Sequence, residues 1–534
     1  MDLPEIRNQI AKFLGQSQLK VATTVCKSWN DSFTPFLYNT IVLESSGPDS
    51  IVKKWDGVLA NADHVRQLKL RTEPLLNDGF LLSKFTRLKW LYLDFEVYYQ
   101  KTFHELTSLV LQNPELIVVS AHLPSGYFSD EFLGALSTCQ RLTEFTVSLG
   151  GCSPQGMEHF LDRACNRLKV LSLQRFKIGN YNEIISTGTN YSDDLSVCFS
   201  VPKKFPTLQS LSLDLPLNIS MQLELIGGSP NLKSLALNLP DLFASFPTTE
   251  LCQILPSKCP LIERLYLSYP SPLIEEYGLI FSYPALKDEE LSMIIGSCLS
   301  NLTCFRADKI SFGKLSFDSL LRRHSLTLTS LDLTRDTVSS EMIQRVLVSC
   351  PQLKIFHTGS LLIEDMRSIV DEDSAELEMI SSCSISPPSI QFQDWVATNL
   401  EHLSIHICAI GSTASHWQRP VLRQLGRLTK LKSLGIGVGR FHRKCCLDLR
   451  LETGLNELGN LKQLEEFSCH NHIEEMEEAD VRWMLEAWPK LNCFNGTLHI
   501  NTKKCMMLEC ILKKRGVQVT AEGISQLFRI VGQF

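Results

Sequence analysis

Four histidines in the second half of the chain are the residues most suggestive of chemistry: His357, His402, His406 and His470. Histidines can bind zinc when cysteine or carboxylate ligands stand at set spacings beside them. These four come from three separate segments, and none of the 18 cysteines belongs to a Cys-x-x-Cys pair. We therefore expect neither a metal site nor a cofactor.

Motifs of enzyme active sites are also missing. The sequence contains no His-Glu-x-x-His, no Gly-x-Ser-x-Gly and no Gly-x-x-x-x-Gly-Lys, which would indicate zinc, serine-nucleophile and phosphate chemistry. Gly435-Ile-Gly437-Val-Gly439 is rich in glycine but lies inside an apolar strand-like phrase, which argues against a dinucleotide site. The sequence predicts a non-catalytic protein.

Composition restricts the partners and the compartment. The 534 residues include 52 basic and 58 acidic ones, a net charge of −6, which argues against a general nucleic-acid or membrane-surface role. We see neither a signal peptide nor an apolar run of membrane-spanning length. The cysteines then fit a reducing compartment, so we expect the cytoplasm, the nucleus or both.

One apolar phrase recurs along most of the chain, as in Leu88-Lys-Trp-Leu91-Tyr-Leu93. Fifteen copies begin 23 to 47 residues apart, and most spacings are close to those of a leucine-rich repeat. Three long gaps contain insertions or degenerate repeats. The phrases begin at residues 65, 88, 116, 142, 168, 208, 232, 262, 302, 328, 353, 400, 431, 464 and 491.

The segments between the phrases have helical periodicity. Leu291, Ile294 and Ile295 lie at i, i+3 and i+4, and Ser153-Pro154 is a favourable helix start. Strand, turn and helix therefore alternate, which predicts an α/β leucine-rich-repeat solenoid: a horseshoe with strands on the concave face and helices on the convex face. Cysteines before several phrases, as in Cys350-Pro-Gln-Leu353, resemble the cysteine-containing class of these repeats, and we expect them to be buried.

The first 45 residues follow a different pattern. Ile6, Ile10, Phe13 and Leu14 form one apolar helical stripe, and residues 22, 25, 26 and 29 form a second one after a polar break. We therefore expect a small all-α module at 1–45, a repeat solenoid at 46–498 with an acidic insertion at about 361–398, and a C-terminal cap at 499–534.

The N-terminal module resembles an F-box. Leu3-Pro4-Glu5-Ile6 and Val25-Cys26-Lys27-Ser28-Trp29 match the beginning and end of that family's pattern, although the glutamate follows Pro4 one residue early. The resemblance covers about residues 2–42. It implies docking on a Skp-type adaptor and, through it, on a cullin–RING ubiquitin ligase (an SCF complex).

The resemblance also implies the docking residues. An apolar adaptor interface would include Leu3, Pro4, Ile6, Ile10, Phe13 and Leu14, whereas Leu19, Val25 and Trp29 either order the helices or share the interface. The chain would then be the substrate-recruiting subunit of the ligase. The alternatives are a plain helical cap on a scaffold or inhibitor without a ligase connection and, more remotely, a small-ligand sensor.

A recruited substrate would contact the concave face. Positions three, five and seven of each phrase point to that face, and exposed aromatic and arginine side chains carry much interface energy. The predicted substrate contacts are Trp90, Tyr92, Asp94, His122, Arg264, Tyr266, Arg306, Asp332, His357, His402, His406 and His470.

Overall fold

The computed structural model describes most of the chain in segments. These are residues 4–43, 57–71, 82–94, 100–122, 127–178, 204–214, 219–238, 248–268, 286–298, 302–308, 310, 312–333, 338–362, 394–408, 414–436, 447–473 and 475–520. The chain forms two compact units. Unit 1 contains Met1–Ile262 with Pro270–Pro272, and unit 2 contains Glu263–Tyr269 with Leu273–Phe534.

Unit 1 begins with three helices: α1 (Pro4–Ala11), α2 (Gln16–Thr23) and α3 (Lys27–Leu37). The predicted second stripe is therefore not one helix, because the chain turns between Thr24 and Cys26 and Cys26 is extended (φ −162°). After this turn α3 packs back on α2. The side chains of Ala11, Leu19, Ala22 and Phe33 form the buried core of the three-helix module.

The sheet of unit 1 is parallel throughout. Its strands are β1 (Thr40–Leu43), β2 (Gln67–Leu70), β3 (Trp90–Asp94), β4 (Val118–His122), β5 (Tyr127–Phe128), β6 (Glu144–Cys152), β7 (Val170–Ile178), β8 (Ser210–Asp214) and β9 (Ser234–Asn238). They pair in chain order, except that the short β5 lies beside the end of β6 and β4 pairs directly with β6. The connecting helices are α4 (Gln100–Leu111), α5 (Asp130–Thr138), α6 (Pro154–Ala164), α7 (Ile219–Gly227) and α8 (Thr248–Lys258), with a 3-10 turn at Ala62–His64.

Unit 2 repeats the same plan. Its parallel strands are β10 (Arg264–Ser268), β11 (Cys304–Asp308), β12 (Ser330–Asp332), β13 (Ile355–Leu362), β14 (His402–Cys408), β15 (Ser433–Ile436), β16 (Glu466–Ile473), β17 (Cys493–Thr497) and β18 (Gln518–Thr520). Each of them pairs with the next in order. The helices are α9 (Asp288–Ser297), α10 (Lys314–His324), α11 (Ser340–Ser349), α12 (Ala414–Gly426), α13 (Glu478–Ala487) and α14 (Thr502–Lys514), with 3-10 segments at Leu451–Thr453 and Leu455–Asn460.

The predicted fold class is confirmed: each unit is an α/β leucine-rich-repeat solenoid. All fifteen predicted phrases contain a strand, and β1, β5 and β18 are additional to them. Much of the three long gaps, including residues 363–393 of the acidic insertion predicted at about 361–398, falls in parts of the chain that the structure does not describe. No helix in the described segments is long and apolar enough to cross a membrane.

Several helices of the two sheets end in a buried residue that packs beneath the next strand. The five cysteines predicted for this position, which we name the helix-end slot, are all at most 7% exposed: Cys139, Cys165, Cys259, Cys298 and Cys350. Asn113 fills the slot in another repeat, where its Oδ1 accepts a hydrogen bond from Leu88 N at 2.7 Å. In unit 2, His324 Nδ1 accepts from Leu302 N at 3.2 Å in the same way.

The slot thiols should resist alkylation. Burial raises the pKa of Cys139 to about 11 and those of Cys259 and Cys350 to about 12, so almost no thiolate forms near neutral pH. Cys26 and Cys510 are exposed. Iodoacetamide at pH 8 followed by peptide mass spectrometry should modify Cys26 and Cys510 before the slot cysteines. Equal labelling of the slot cysteines in the folded protein would contradict their assigned burial.

His324 should make stability depend on pH. It is 2% exposed, and burial together with the Arg323 guanidinium lowers its pKa. The unfolded chain takes up the proton at about pH 6.5, so its proton uptake exceeds that of the folded state below this pH. The free energy of unfolding should therefore fall as the pH drops below about 6.5.

The matched variant is His324→Asn, which keeps an acceptor of the kind that Asn113 provides in its own repeat. Urea unfolding at pH 7.5 and 5.5 should show a smaller loss of stability in the variant than in the wild type. The same loss in both proteins would exclude His324 as its source.

Candidate functional site

An exposed apolar surface runs along α1. Ile6 and Ile10 are 53% and 44% exposed and lie one turn apart on α1, and Phe13, 85% exposed, follows in the turn that ends the helix. We name these three residues the α1 face. Large apolar side chains grouped on an otherwise folded module mark an interaction surface.

Contacts on the other side of α1 hold it in place. Arg7 is buried, and its Nη1 donates hydrogen bonds of 2.6 Å to the carbonyl oxygen and to the Oγ of Ser28, in α3. Ala11 packs in the core beside Leu19 and Phe33. Because these contacts use the inner side of α1, the α1 face is directed away from the core.

The other predicted adaptor residues divide into two groups. Leu19 is 5% exposed, so it orders the helices and cannot contact an adaptor in the folded module, and Leu14 packs partly against the same core. Val25 and Trp29 are 59% and 37% exposed and remain accessible. Leu3 precedes the described residues; Pro4 is the first residue of α1, but its side chain is likewise not described.

The sheet of unit 1 carries a second surface on the side away from the helices, which we name its open face. In β3, Leu91 and Leu93 are buried, whereas Trp90 and Tyr92 are partly exposed and Asp94 is exposed. This alternation places the predicted residues of β3 on the open face. On the adjacent strand His122 stands in register with Asp94 and is also partly exposed.

A concavity of about 430 Å³ opens between β2, β3 and β4 on this face. Lys69 Nζ lies 5.0 Å above the centre of the Tyr92 ring, within the range of a cation–π interaction. His122 is held through its Nδ1, 2.8 Å from Ser148 Oγ. The polar lining residues are Lys69, Arg71, Tyr92, Asp94, Ser120 and His122.

The sequence prediction did not include Lys69 and Arg71, although the signal for them was present. They occupy positions five and seven of the first phrase, Val65-Arg-Gln-Leu68-Lys-Leu70 and the residue after it. The rule that selected Tyr92 and Asp94 on β3 selects these two cations on β2. They change the character of the site, because they bring two positive charges to a place where the prediction had one carboxylate and one histidine.

The open face of unit 2 collects most of the other predicted residues. Tyr266, Arg306, Asp332 and His357 stand side by side on four neighbouring strands. Arg306 Nε lies 3.4 Å from Asp332 Oδ2, and its Nη2 lies 3.9 Å from the Oδ2 of Asp308. Arg306 is thus oriented by two carboxylates that also offset its charge.

Tyr266 and His357 on this face are neutral near pH 7. Burial, together with Cys304, raises the pKa of Tyr266 to about 12, and Cys304 Sγ donates to the Tyr266 hydroxyl at 3.4 Å. Burial also lowers the pKa of His357, which the charge of Asp332 only partly opposes. Arg264, at the start of β10, is exposed.

The prediction for His406 is wrong. It was expected on the exposed concave surface, but it is 3% exposed. Leu403, Ile405 and Ile407 are buried on the core side of β14, so His406 is buried on the opposite side of the strand, where alternation alone predicts exposure. His402 is partly exposed as expected, whereas the side chain of His470, in β16, is not described.

Metal chemistry finds no support in the described segments. No group of three or more histidine, cysteine, aspartate or glutamate side chains is placed there to hold an ion. His357 and His402 lie on adjacent strands, and the other charged neighbours of His357 are Asp332 and Arg306. The two open faces therefore offer hydrogen bonds, charge and aromatic surface, which are means of binding.

No protein-family model matches the sequence, and no curated protein is similar enough to count as a relative. Among solved structures, a leucine-rich-repeat protein of Leptospira interrogans is 13% identical over 93% of both chains, with a TM-score of 0.31. An internalin of Listeria monocytogenes is 13% identical over 82% of this chain and 81% of its own, with a TM-score of 0.32.

A third solved structure, the yeast complex of Rad7 and Elc1, is 15% identical to this chain. The match covers 60% of this chain and 82% of the other, with a TM-score of 0.33. All three TM-scores lie below 0.5, so these resemblances carry no functional information about this chain.

The α1 face and the module core should respond differently to mutation. Phe33→Ala removes a fully buried ring and should cost ~3–5 kcal/mol of stability in the module. Phe13→Asp changes an exposed residue and should cost only about 0.5 kcal/mol or less. Limited proteolysis of the full chain, with cleavage rates measured at sites within residues 4–43, tests both expectations. The Phe33 variant should be cleaved faster than the wild type, and the Phe13 variant should be cleaved at the wild-type rate. Rapid cleavage of the Phe13 variant would show that this ring belongs to the core.

Proposed function

We propose that this chain is the substrate-recruiting subunit of an SCF-type ubiquitin ligase. The observation that carries the proposal is the α1 face: Ile6, Ile10 and Phe13 are exposed together while the same helix is fixed from behind by Arg7 and Ala11. An apolar surface presented in this way favours a permanent protein partner. The F-box resemblance of residues 2–42 suggests a Skp-type adaptor as that partner.

The two open faces supply the other half of the proposed role. They offer aromatic, arginine and histidine side chains on a rigid parallel sheet, which are suitable for holding a target protein. The chain itself would form no bond with ubiquitin. It would raise the effective concentration of the target near the ubiquitin-loaded enzyme through simultaneous binding of adaptor and target.

The proposal is tested by co-purification with a Skp-type adaptor. Wild type should bind the adaptor, and Phe13→Asp combined with Ile10→Asp should reduce binding by more than about tenfold, because two charges would enter an apolar interface. Both residues are exposed, so the double variant should remain folded.

The matched control is Leu326→Asp, which places the same charge on an apolar residue that is 72% exposed in unit 2. It should bind the adaptor like the wild type. If the wild type does not bind, or if the double variant binds equally well, the ligase role is wrong and a scaffold without ligase connection becomes the better description.

A further inference from the structure

We propose that one edge of the sheet in unit 1 binds an acidic protein segment that runs across the strands. The inference rests on the proposed function only in naming the recruited target as the owner of that segment. The edge lies where turns lead into strands β3 to β9. We name it the basic edge and define it by five residues: Arg87, Lys89, Lys169, Lys204 and Lys233.

Main-chain hydrogen bonds place three of these lysines in a single row. Along the row each amide nitrogen donates to the carbonyl oxygen of the preceding member at 2.7 to 2.9 Å. Neighbouring strands are about 4.8 Å apart, so the five steps of the row span about 24 Å. Its members, in order, are Lys89, Ile117, Thr143, Lys169, Gln209 and Lys233.

The five cations of the basic edge are available to a partner. Four of them are exposed, and Lys89 is partly exposed. Among the segments that the structure describes, none of the five side chains forms a hydrogen bond or an ion pair. Like charges that are grouped without counter-charges create a positive potential, which attracts an anionic partner.

Carboxylates near the edge leave most of this charge in place. In the described turns that lead into β3 to β9, Glu115 is the one carboxylate, and it pairs with Arg141 at 2.9 Å. Glu144, the first residue of β6, can offset one of the five charges. Asp162, in the last turn of a helix, is followed by Arg163, so these two residues add no net charge. A clear positive excess therefore remains.

On the corresponding edge of unit 2, cations are engaged by neighbouring groups. Lys432 Nζ lies 2.5 Å from Glu401 Oε2, and Lys462 Nζ donates to the carbonyl oxygen of Ala487 at 3.0 Å. An anionic partner would have to displace these contacts. The basic edge of unit 1 requires no such exchange, because its side chains have no partner in the described part of the chain.

The surroundings of the row favour a polypeptide over a nucleic acid. Proteins that bind single strands stack the bases on a series of exposed aromatic rings. Phe85 and Phe205, in the described turns of this edge, are fully buried, and only Trp90 places a partly exposed ring next to the row. An extended peptide rises about 3.3 Å per residue, so about eight residues cover the row. Acidic residues at alternate positions would meet its lysines.

The probe is a fluorescein-labelled ten-residue peptide of alternating serine and glutamate with an amidated C-terminus. Its counterpart has glutamine in place of each glutamate. Fluorescence anisotropy with the full chain at low salt should show about tenfold tighter binding of the glutamate peptide. This difference should shrink as the salt concentration rises, because exposed charges are screened. Equal binding of the two peptides would overturn the proposal.

Variants locate the interaction on the chain. Lys169→Glu combined with Lys233→Glu should remove the preference for the glutamate peptide, and the same two positions changed to glutamine should weaken it. The matched control, Lys354→Glu combined with Lys490→Glu, makes the same change of net charge at exposed lysines of unit 2 and should keep the preference. If the control loses the preference as well, or if the glutamine variant binds like the wild type, the basic edge is not the site.

A single-stranded DNA of six thymidines tests the other class of polyanion, because its five phosphates match the five glutamates of the peptide. It should bind more weakly than the glutamate peptide. Tighter binding of the DNA, lost on changing Lys169 and Lys233 to glutamate, would make the basic edge a nucleic-acid site and overturn its assignment to a protein segment.

The outcome is separate from that of the ligase proposal. The changes at Lys169 and Lys233 leave the α1 face intact, so this variant should co-purify with the adaptor like the wild type. Loss of the peptide preference with intact adaptor binding supports both ideas. A peptide preference in a chain that never binds an adaptor would keep the basic edge as a binding site and reject the ligase role.

Discussion

Burial of the apolar residues of each phrase between sheet and helix is the constraint on which the other features depend. In β3, Leu91 and Leu93 are at most 2% exposed, and Leu68 and Leu70 of the neighbouring β2 stand in register with them. Because side chains alternate along a strand, residues between buried leucines must lie on the open face. The core therefore also decides which residues can contact a partner, and parallel register sets their spacing.

The helix-end slot adds a second constraint at the join between repeats. A slot residue is buried, and it often accepts or donates a hydrogen bond to the preceding repeat. Cysteine, asparagine and histidine meet this need in different repeats, as Cys259, Asn113 and His324 show. The residue type at the slot varies, but the residue is buried in each case and forms a hydrogen bond with the preceding repeat. The slot cysteines are therefore structural residues and not metal ligands or nucleophiles.

Most of the fold could be predicted because the same apolar pattern recurs in every phrase. The predictions failed where this pattern is interrupted or where it continues across a break in the structure. Strand β1 was not predicted because Tyr38 stands where the phrase normally begins with an aliphatic residue. Strand β18 was not predicted because Gly516, which has a φ of +83°, stands at the same first position. The break between α2 and α3 could not be predicted because the apolar spacing continues across it. The burial of His406 could not be predicted because alternation along β14 assigns a residue to a face of the sheet and says nothing about how exposed that residue is.

The sites were predictable to the extent that they follow the same alternation. Tyr266, Arg306 and Asp332 were selected one by one, yet only the register of their strands shows that they are neighbours. Ion pairing, ring stacking and the concavity beside Lys69 depend on side-chain placement between repeats, about which one sequence says little. The α1 face differs in chemistry from both open faces, because it is apolar and helical whereas they carry charged, aromatic and hydrogen-bonding side chains on strands.

The central claim is that these surfaces serve different partners, and hydrogen–deuterium exchange of the full chain with and without a Skp-type adaptor tests it most directly. The account predicts slower exchange in Pro4–Leu14 on adding the adaptor, with unchanged exchange in β2 to β4 and β10 to β14. Protection of those strands by the adaptor, with none in α1, would contradict it.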